Sequence, residues 1–409
     1  MTLSLSAMCA IIIFSATYLF VAVGQLPKLR LDRTGAALLG ASLMVASGVL
    51  SLQEAYRAID FNTLALLLGM MILVANLRLS GVFALVNAWL AARVRSPFGL
   101  LCAVTLLSGI LSAFLVNDMI CLVLAPLILE LTKRLQRNPV PYLLAVAMAA
   151  NVGSVATITG NPQNIIVGSV SGLGYRAFFS ALAPVAGVGL ALTVVLIAMA
   201  FRTEFRIGSR LQSVDGTPRC HRVLAVKSVA VALGLVLALF AGVEPARAAL
   251  LAGALLLITR RVKARKVYED IDGALLLLFA GLFVVVGGLE KAVLGSQLPA
   301  AAGSWPLGHL PVLVGVTAVL SNLVSNVPAV LLLKPFVQAL PDAGSAWLAV
   351  AMASTLAGNF TLLGSVANLI VVERARASRL DIGFWAYFRV GAPLTLVTLL
   401  FGTLWLAAR

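Results

Sequence analysis

The chain has 409 residues, 61% hydrophobic and 11% charged, with a mean hydropathy of +1.05 and a formal net charge of +15. Soluble domains run at roughly 45–50% apolar and 25% charged, so a soluble globular protein is excluded. The excess of 30 Lys and Arg over 15 Asp and Glu would suggest nucleic acid in a soluble chain; here it is read as membrane topology, and no nucleic-acid partner is expected.

About 20 apolar residues at 1.5 Å per residue cross a bilayer. In chain order, runs at 7–24, 35–50 and 62–77 predict three spans. The stretch 98–131 is too long for one helix and carries Asn117 and Asp118 at its centre, which predicts a re-entrant hairpin. The fourth span, 142–168, is interrupted by Thr157-Ile158-Thr159-Gly160-Asn161-Pro162-Gln163-Asn164. Pro162 removes a backbone donor and Gly160 permits positive φ, so this helix is expected to break. A fifth span at 180–201 ends the first half, and the polar segment 203–223 reads as a linker. Spans at 224–241, 246–259 and 273–289 follow. A second hairpin is expected at 310–337, around Ser325 and Asn326, then a second broken helix at 346–372 and a last span at 384–407. Two full crossings in place of each hairpin would leave the topology unchanged.

Alternate loops concentrate the basic residues: 23 Lys and Arg fall on one side and five (Arg57, Arg176, Arg247, Lys291 and Arg409) on the other. The positive-inside rule then places both termini outside in a multi-pass protein of the cytoplasmic membrane. No basic segment precedes the first run, which reads as an uncleaved span. Lys334 and Arg389 lie within apolar segments and read as a snorkelling side chain and an interfacial anchor. The basic run from Arg260 to Lys266 suits anionic lipid headgroups, though topology alone explains it.

The halves repeat. LAVAMA occurs at 144–149 and again at 348–353, and eleven of 24 positions agree when that register is carried forward, including Thr157 with Thr361, Gly160 with Gly364 and Asn164 with Asn368. Asn117 and Pro126 fall opposite Asn326 and Pro335, and Tyr56 and Asp60 opposite Tyr268 and Asp272. The expected fold is an all-α integral membrane protein of two repeats, 1–202 and 224–409, each with five transmembrane helices and one hairpin. Five crossings is an odd number, so the second copy is inverted, an arrangement found in secondary transporters with midplane sites between the repeats.

The polar residues at these interruptions are the candidate substrate site: Asn117, Thr157, Thr159, Gly160, Asn161 and Asn164 in the first half, and Ser325, Asn326, Asn359, Thr361, Gly364, Ser365 and Asn368 in the second. Four half-helix ends near one point would present free backbone donors and positive dipole ends to an anion or polar solute. Asp118 is the one carboxylate this map places deep in the membrane, and it is assigned the coupling ion, H⁺ or Na⁺. Its counterpart, Val327, is apolar, so coupling is asymmetric. Cys9, Cys102, Cys121 and Cys220 have no paired spacing, no Walker loop or HExxH motif occurs, and neither a cofactor, a metal nor an enzymatic activity is expected.

Asn117-Asp118, Gly160-Asn161-Pro162-Gln163-Asn164, Ser325-Asn326-Val327-Pro328 and Gly358 to Ser365 resemble the ion transporter superfamily, in the branch of the arsenite permeases, P-proteins and bacterial anion permeases. The resemblance covers essentially the whole chain. It implies a scaffold and a mobile transport domain moving elevator-fashion, and efflux driven by the proton motive force, with a soluble ATPase as an optional partner. The Ser-Asn-Thr signatures of the dicarboxylate branch are replaced by Val116-Asn117-Asp118 and Ser325-Asn326-Val327. Proton-coupled arsenite or antimonite efflux is the leading expectation. A sodium/proton antiporter or a di- or tricarboxylate carrier is the alternative, and an anion channel ranks below both. Direction and oligomeric state, a homodimer included, stay open.

Overall fold

The computed structural model describes residues 4–23, 31–206, 220–259, 262–294 and 306–409, and among them the regular structure is helical, with no strand. Lys28, Arg30, Arg260, Arg261 and most of the expected 203–223 linker lie outside the described residues. The first half runs α1 (Leu5–Val23), α2 (Arg33–Ala46), α3 (Leu52–Ala58), α4 (Phe61–Ser80), α5 (Val82–Arg93), α6 (Pro97–Phe114), α7 (Asn117–Arg134), α8 (Pro139–Ser154), α9 (Pro162–Ser171), α10 (Tyr175–Ala200) and the short α11 (Arg202–Arg206). The second runs α12 (Arg222–Phe240), α13 (Pro245–Leu257), α14 (Ala264–Tyr268), α15 (Gly273–Leu289), α16 (Leu310–Val324), α17 (Asn326–Gln338), α18 (Ala343–Ala357), α19 (Val366–Ala377) and α20 (Phe384–Ala407). Seven of the described helices are long and apolar enough to cross a membrane, α6 among them. The protein is a multi-pass membrane protein.

Local chemistry starts these helices where the chain enters them. Asp60 caps α4 through Asn62 N and Thr63 N (3.0 and 3.3 Å), and its counterpart Asp272 caps α15 through Leu275 N (2.9 Å). Both α8 and α9 begin Asn-Pro, with the asparagine as N-cap and the proline at the first turn, where its missing N–H costs nothing. The sequence reading missed α3, α14 and α5. The first two are single turns or little more, and α5 follows a chain reversal at Gly81 (φ +84°), in a stretch read as a loop between spans.

The two halves pack by exchange. α4 lies against α13, and α15 lies against α2. Gly69 on α4 meets the Ala249 backbone so closely that a Cβ there would sit 2.4 Å from Ala249 O; Gly281 on α15 meets the Ala37 backbone, with a Cβ 2.9 Å from Ala37 O. Both members of the second contact stand 212 positions from their equivalents in the first, the offset that pairs Asp60 with Asp272. One contact is therefore made twice with the halves interchanged, as a pseudo-twofold requires.

Hydrogen bonds assign the loops to faces. Ser80 O accepts from His221 N (3.0 Å), Arg78 pairs with Asp270, and Thr34 Oγ1 donates to Ala274 O (3.2 Å), which gathers the ends of α4, α12, α2 and α15 on one face. On the other, Lys291 pairs with Glu54 (2.7 Å), Arg409 donates to Ser180 Oγ (2.8 Å) and Arg176 reaches Phe240 O. Arg57, Arg176, Arg247, Lys291 and Arg409, the five expected on the basic-poor side, belong to the segments of this second face. Lys334 reaches the end of α15, where it pairs with Glu290 at 3.4 Å, as α17 packs on α15. Arg389 lies over the Phe201 ring, 5.7 Å from its centroid.

Candidate functional site

Four helices begin at one place. The first residues of α7 (Asn117, Asp118), α9 (Pro162, Gln163), α17 (Asn326, Val327) and α19 (Val366), with the caps Ser325 and Ser365, line a chamber of about 50 Å³. The starts of α7 and α17 have no side-chain cap bond, whereas Asn161 caps α9 and Ser365 caps α19; each N-terminus adds a partial positive charge, so the chamber favours oxygen atoms of a solute. Ser325 holds φ +79°, a region non-glycine residues rarely adopt, and this turns the chain between the two arms of the second hairpin. Arg33, from the first turn of α2, forms part of the wall.

Asp118 and Val366 are shared with a second, larger cavity of about 470 Å³. Its walls are α4 from Met71 to Arg78, α7 from Asp118 to Val123, the start of α15, and the loop carrying Glu269, Asp270 and Asp272. This vestibule opens on the face where Arg78 pairs with Asp270. Four carboxylates and one guanidinium line it, and two of the carboxylates are ion-paired, Asp270 with Arg78 and Glu269 with Arg265 (3.2 Å). The arrangement is one-sided: α4 packs on α9, whereas the vestibule lies between their counterparts α15 and α19.

Behind the chamber, side chains of the two halves bond each other reciprocally. Asn151 on α8 donates through Nδ2 to Asn359 Oδ1 (2.9 Å) and Asn368 Oδ1 (3.0 Å), and its Oδ1 accepts from Asn117 Nδ2 (3.0 Å) and Ser365 Oγ (3.1 Å). Thr355 on α18 stands at the matching position, and its Oγ1 accepts from Asn161 Nδ2 and Gln163 Nε2, both at 3.1 Å. Each half thus braces the break in the other.

The breaks themselves are filled by side-chain amides. Asn164 Nδ2 donates to Ser154 O (3.0 Å) and Thr157 O (2.9 Å); Asn368 Nδ2 donates to Gly358 O (2.7 Å) and Thr361 O (3.2 Å). These carbonyls lost their helical partners at the breaks, so the asparagines meet an obligation that buried backbone imposes. The expectation that Gly160 supplies positive φ fails, since the chain there forms a short 3₁₀ turn, Ile158–Gly160, and Gly160 is not among the positive-φ residues. Glycine is required for space: a Cβ at Gly160 would lie 2.1 Å from Ser154 O, and one at Gly364 would lie 2.8 Å from Gly358 O.

The thirteen expected solute ligands therefore divide. Asn117, Ser325, Asn326 and Ser365 line the chamber, together with Asp118. Asn117 is 2% exposed and its Oδ1 has no hydrogen-bond partner among the described residues. Asn326, with its amide nitrogen turned to Ser354 O (3.1 Å) and Gly364 O (3.3 Å), joins the second hairpin to the second break. Asn161, Asn164, Asn359 and Asn368 are spent on the network and the breaks. Thr157 donates to Ala113 O, and Thr159 bonds Tyr175 Oη (2.9 Å), which ties the first break to α6 and α10. Thr361, Gly160 and Gly364 shape the backbone. Sequence reasoning missed Gln163, Arg33, Thr355 and the vestibule acids. Thr355 was visible, since the offset that aligns the breaks sets it opposite Asn151.

Comparison with known proteins bears on this geometry. The family model described as "Citrate transporter" matches residues 10–357. An uncharacterized transporter of Mycobacterium tuberculosis is 32% identical over 98% of both chains. The silicon efflux transporter LSI3 of Oryza sativa is 31% identical over 95% of both. Among solved structures, the YdaH transporter of Alcanivorax borkumensis superposes with a TM-score of 0.60 at 18% identity, covering 99% of this chain and 98% of that one, a likeness of fold.

Proposed function

The chain belongs to the citrate transporter family, and on that footing we propose that it exports a small uncharged oxyacid, arsenite or antimonite first, in exchange for protons. One observation carries this reading: four helix N-termini and one carboxylate converge on a chamber of only about 50 Å³. Organic ligand sites run at roughly 300–1,000 Å³, so a tricarboxylate would have to extend from the chamber into the adjoining vestibule. The vestibule argues the same way, because a trivalent anion would have to pass the carboxylates of Asp118 and Asp272. Arsenous acid keeps its protons at neutral pH and meets no such barrier. Silicic acid, the relative of that shape suggested by the rice homologue, is the second solute to test.

In this reading Asn117, Ser325, Asn326, Ser365 and the four N-terminal turns hold the hydroxyls. Asp118 carries the coupling proton. The braced core moves as one body against a scaffold that includes α2, α4, α13 and α15, elevator-fashion. With the basic face cytoplasmic, the vestibule marks an inward-open state of an inner-membrane protein. A second reading, sodium/proton antiport, draws on the same acidic vestibule, which would gather Na⁺.

Proteoliposomes decide between them. An imposed pH gradient should drive arsenite flux, and Asp118→Asn should abolish that flux while leaving arsenite counterflow. Intact gradient-driven flux in the variant overturns the role of Asp118, and pH-linked ²²Na⁺ flux without arsenite transport favours the antiporter.

A further inference from the structure

We infer that the protein holds a membrane phospholipid, with one acyl chain seated in a cavity where α4, α5, α6 and α12 meet. The cavity measures about 210 Å³ and is lined by Leu73, Leu77, Phe83, Leu111, Ala232 and Val236, with other aliphatic and Phe side chains around them; every lining residue is apolar. It opens sideways: Ile110 and Leu233 in its wall are 55% and 60% exposed, on helices long and apolar enough to span the bilayer.

An apolar void of this kind does not hydrate. Left empty, it would deprive its lining of dispersion contacts on one side. The medium outside an opening at this depth is hydrocarbon, so an acyl chain is the occupant.

The position fits a lipid anchored at the basic face. Arg222 starts α12 and is exposed, and Val229 to Val236 lie 7–14 residues further on, roughly 10–21 Å along the axis at 1.5 Å per residue. One leaflet of a ~30 Å hydrocarbon core is about 15 Å deep, so a phosphate level with Arg222 puts the middle of its chain in the cavity. Transfer from lipid to an apolar pocket gains little hydrophobic free energy, so retention comes from packing and from the headgroup charge.

The location gives the lipid something to act on. Val82 and Phe83 in the wall immediately follow Gly81, whose φ of +84° turns the chain from α4 into α5. Phe114 and Leu115, on the opposite wall, close the tip of the first hairpin. A chain seated there touches the joint through which the hairpin is tethered to α4.

Native mass spectrometry of the full chain, purified in detergent with added dioleoyl phosphatidylglycerol and then washed, tests this. Wild type should retain one phospholipid, and Ala232→Phe, which fills the cavity, should lose it at unchanged melting temperature. If Ala232→Phe does not fold, Ala232→Leu should lower retention by a smaller factor. Leu404→Phe, at a lipid-facing position remote from the cavity, should retain the lipid. Absence of a phospholipid adduct in wild type, a fatty-acid adduct in its place, or equal retention in the cavity-filled variant overturns the inference.

Discussion

Asn151 and Thr355 occupy equivalent positions and do equivalent work with different chemistry. Asn151 makes four hydrogen bonds across the interior, so Asn151→Ala orphans groups on Asn117, Asn359, Ser365 and Asn368 at once. Each orphaned buried group costs about 1–3 kcal/mol. Asn151→Ala should therefore lower the melting temperature in detergent more than Thr355→Ala, whose hydroxyl accepts from two amides and donates at 3.4 Å to Asn164 Oδ1. A larger loss for Thr355→Ala would show that the brace is not shared in this way. The residue types of the site were legible in the sequence, but their division was not. Asn117 and Asn161 stand in similar polar interruptions, yet one lines the chamber with its Oδ1 left without a partner among the described residues, and the other is consumed at Ser154 and Thr355. That outcome depends on neighbours some 200 positions away, which no local pattern reports.

At the level of elements, the breaks are held open by their fillers. Gly160→Ala drives a methyl toward Ser154 O, so the 3₁₀ turn must move and shift the start of α9 in the chamber wall. Transport should fall well below half of wild type with the protein still membrane-inserted, measured as flux per molecule in proteoliposomes. The C-terminal end of α10, on the basic face, has a different kind of anchor. Arg137 Nε lies 2.7 Å from Glu204 Oε1, Arg137 Nη2 donates to Glu204 O (2.6 Å), and Tyr142 Oη reaches the same carboxylate at 3.0 Å, with both charged side chains about 10% exposed. Removing one member of such a pair leaves a buried charge uncompensated. Arg137→Ala should cost about 3–5 kcal/mol, and Arg137→Ala/Glu204→Ala together less than that, as a thermal-shift double-mutant cycle would read. Long helices and interruptions were readable from the sequence because hydropathy and Pro, Gly and Asn punctuate them. α5 escaped because its 12 residues are too few for a span and too apolar to mark a loop.

On the scale of the molecule, the exchanged contacts Gly69 with Ala249 and Gly281 with Ala37 bear equally on how the halves are joined. Gly69→Val and Gly281→Val should each destabilise the protein, and by similar amounts, because each inserts a side chain into the same close crossing. A loss confined to one of them would argue against the equivalence. The exchange also has a consequence for biogenesis. α4 and the first break emerge from the ribosome long before α13 and Thr355 exist to receive them, so the first half must wait in the lipid with its glycine face and amides unmet. Synthesis as two separate pieces, 1–206 and 207–409, should therefore leave each piece prone to degradation alone and rescued when both are made in one cell.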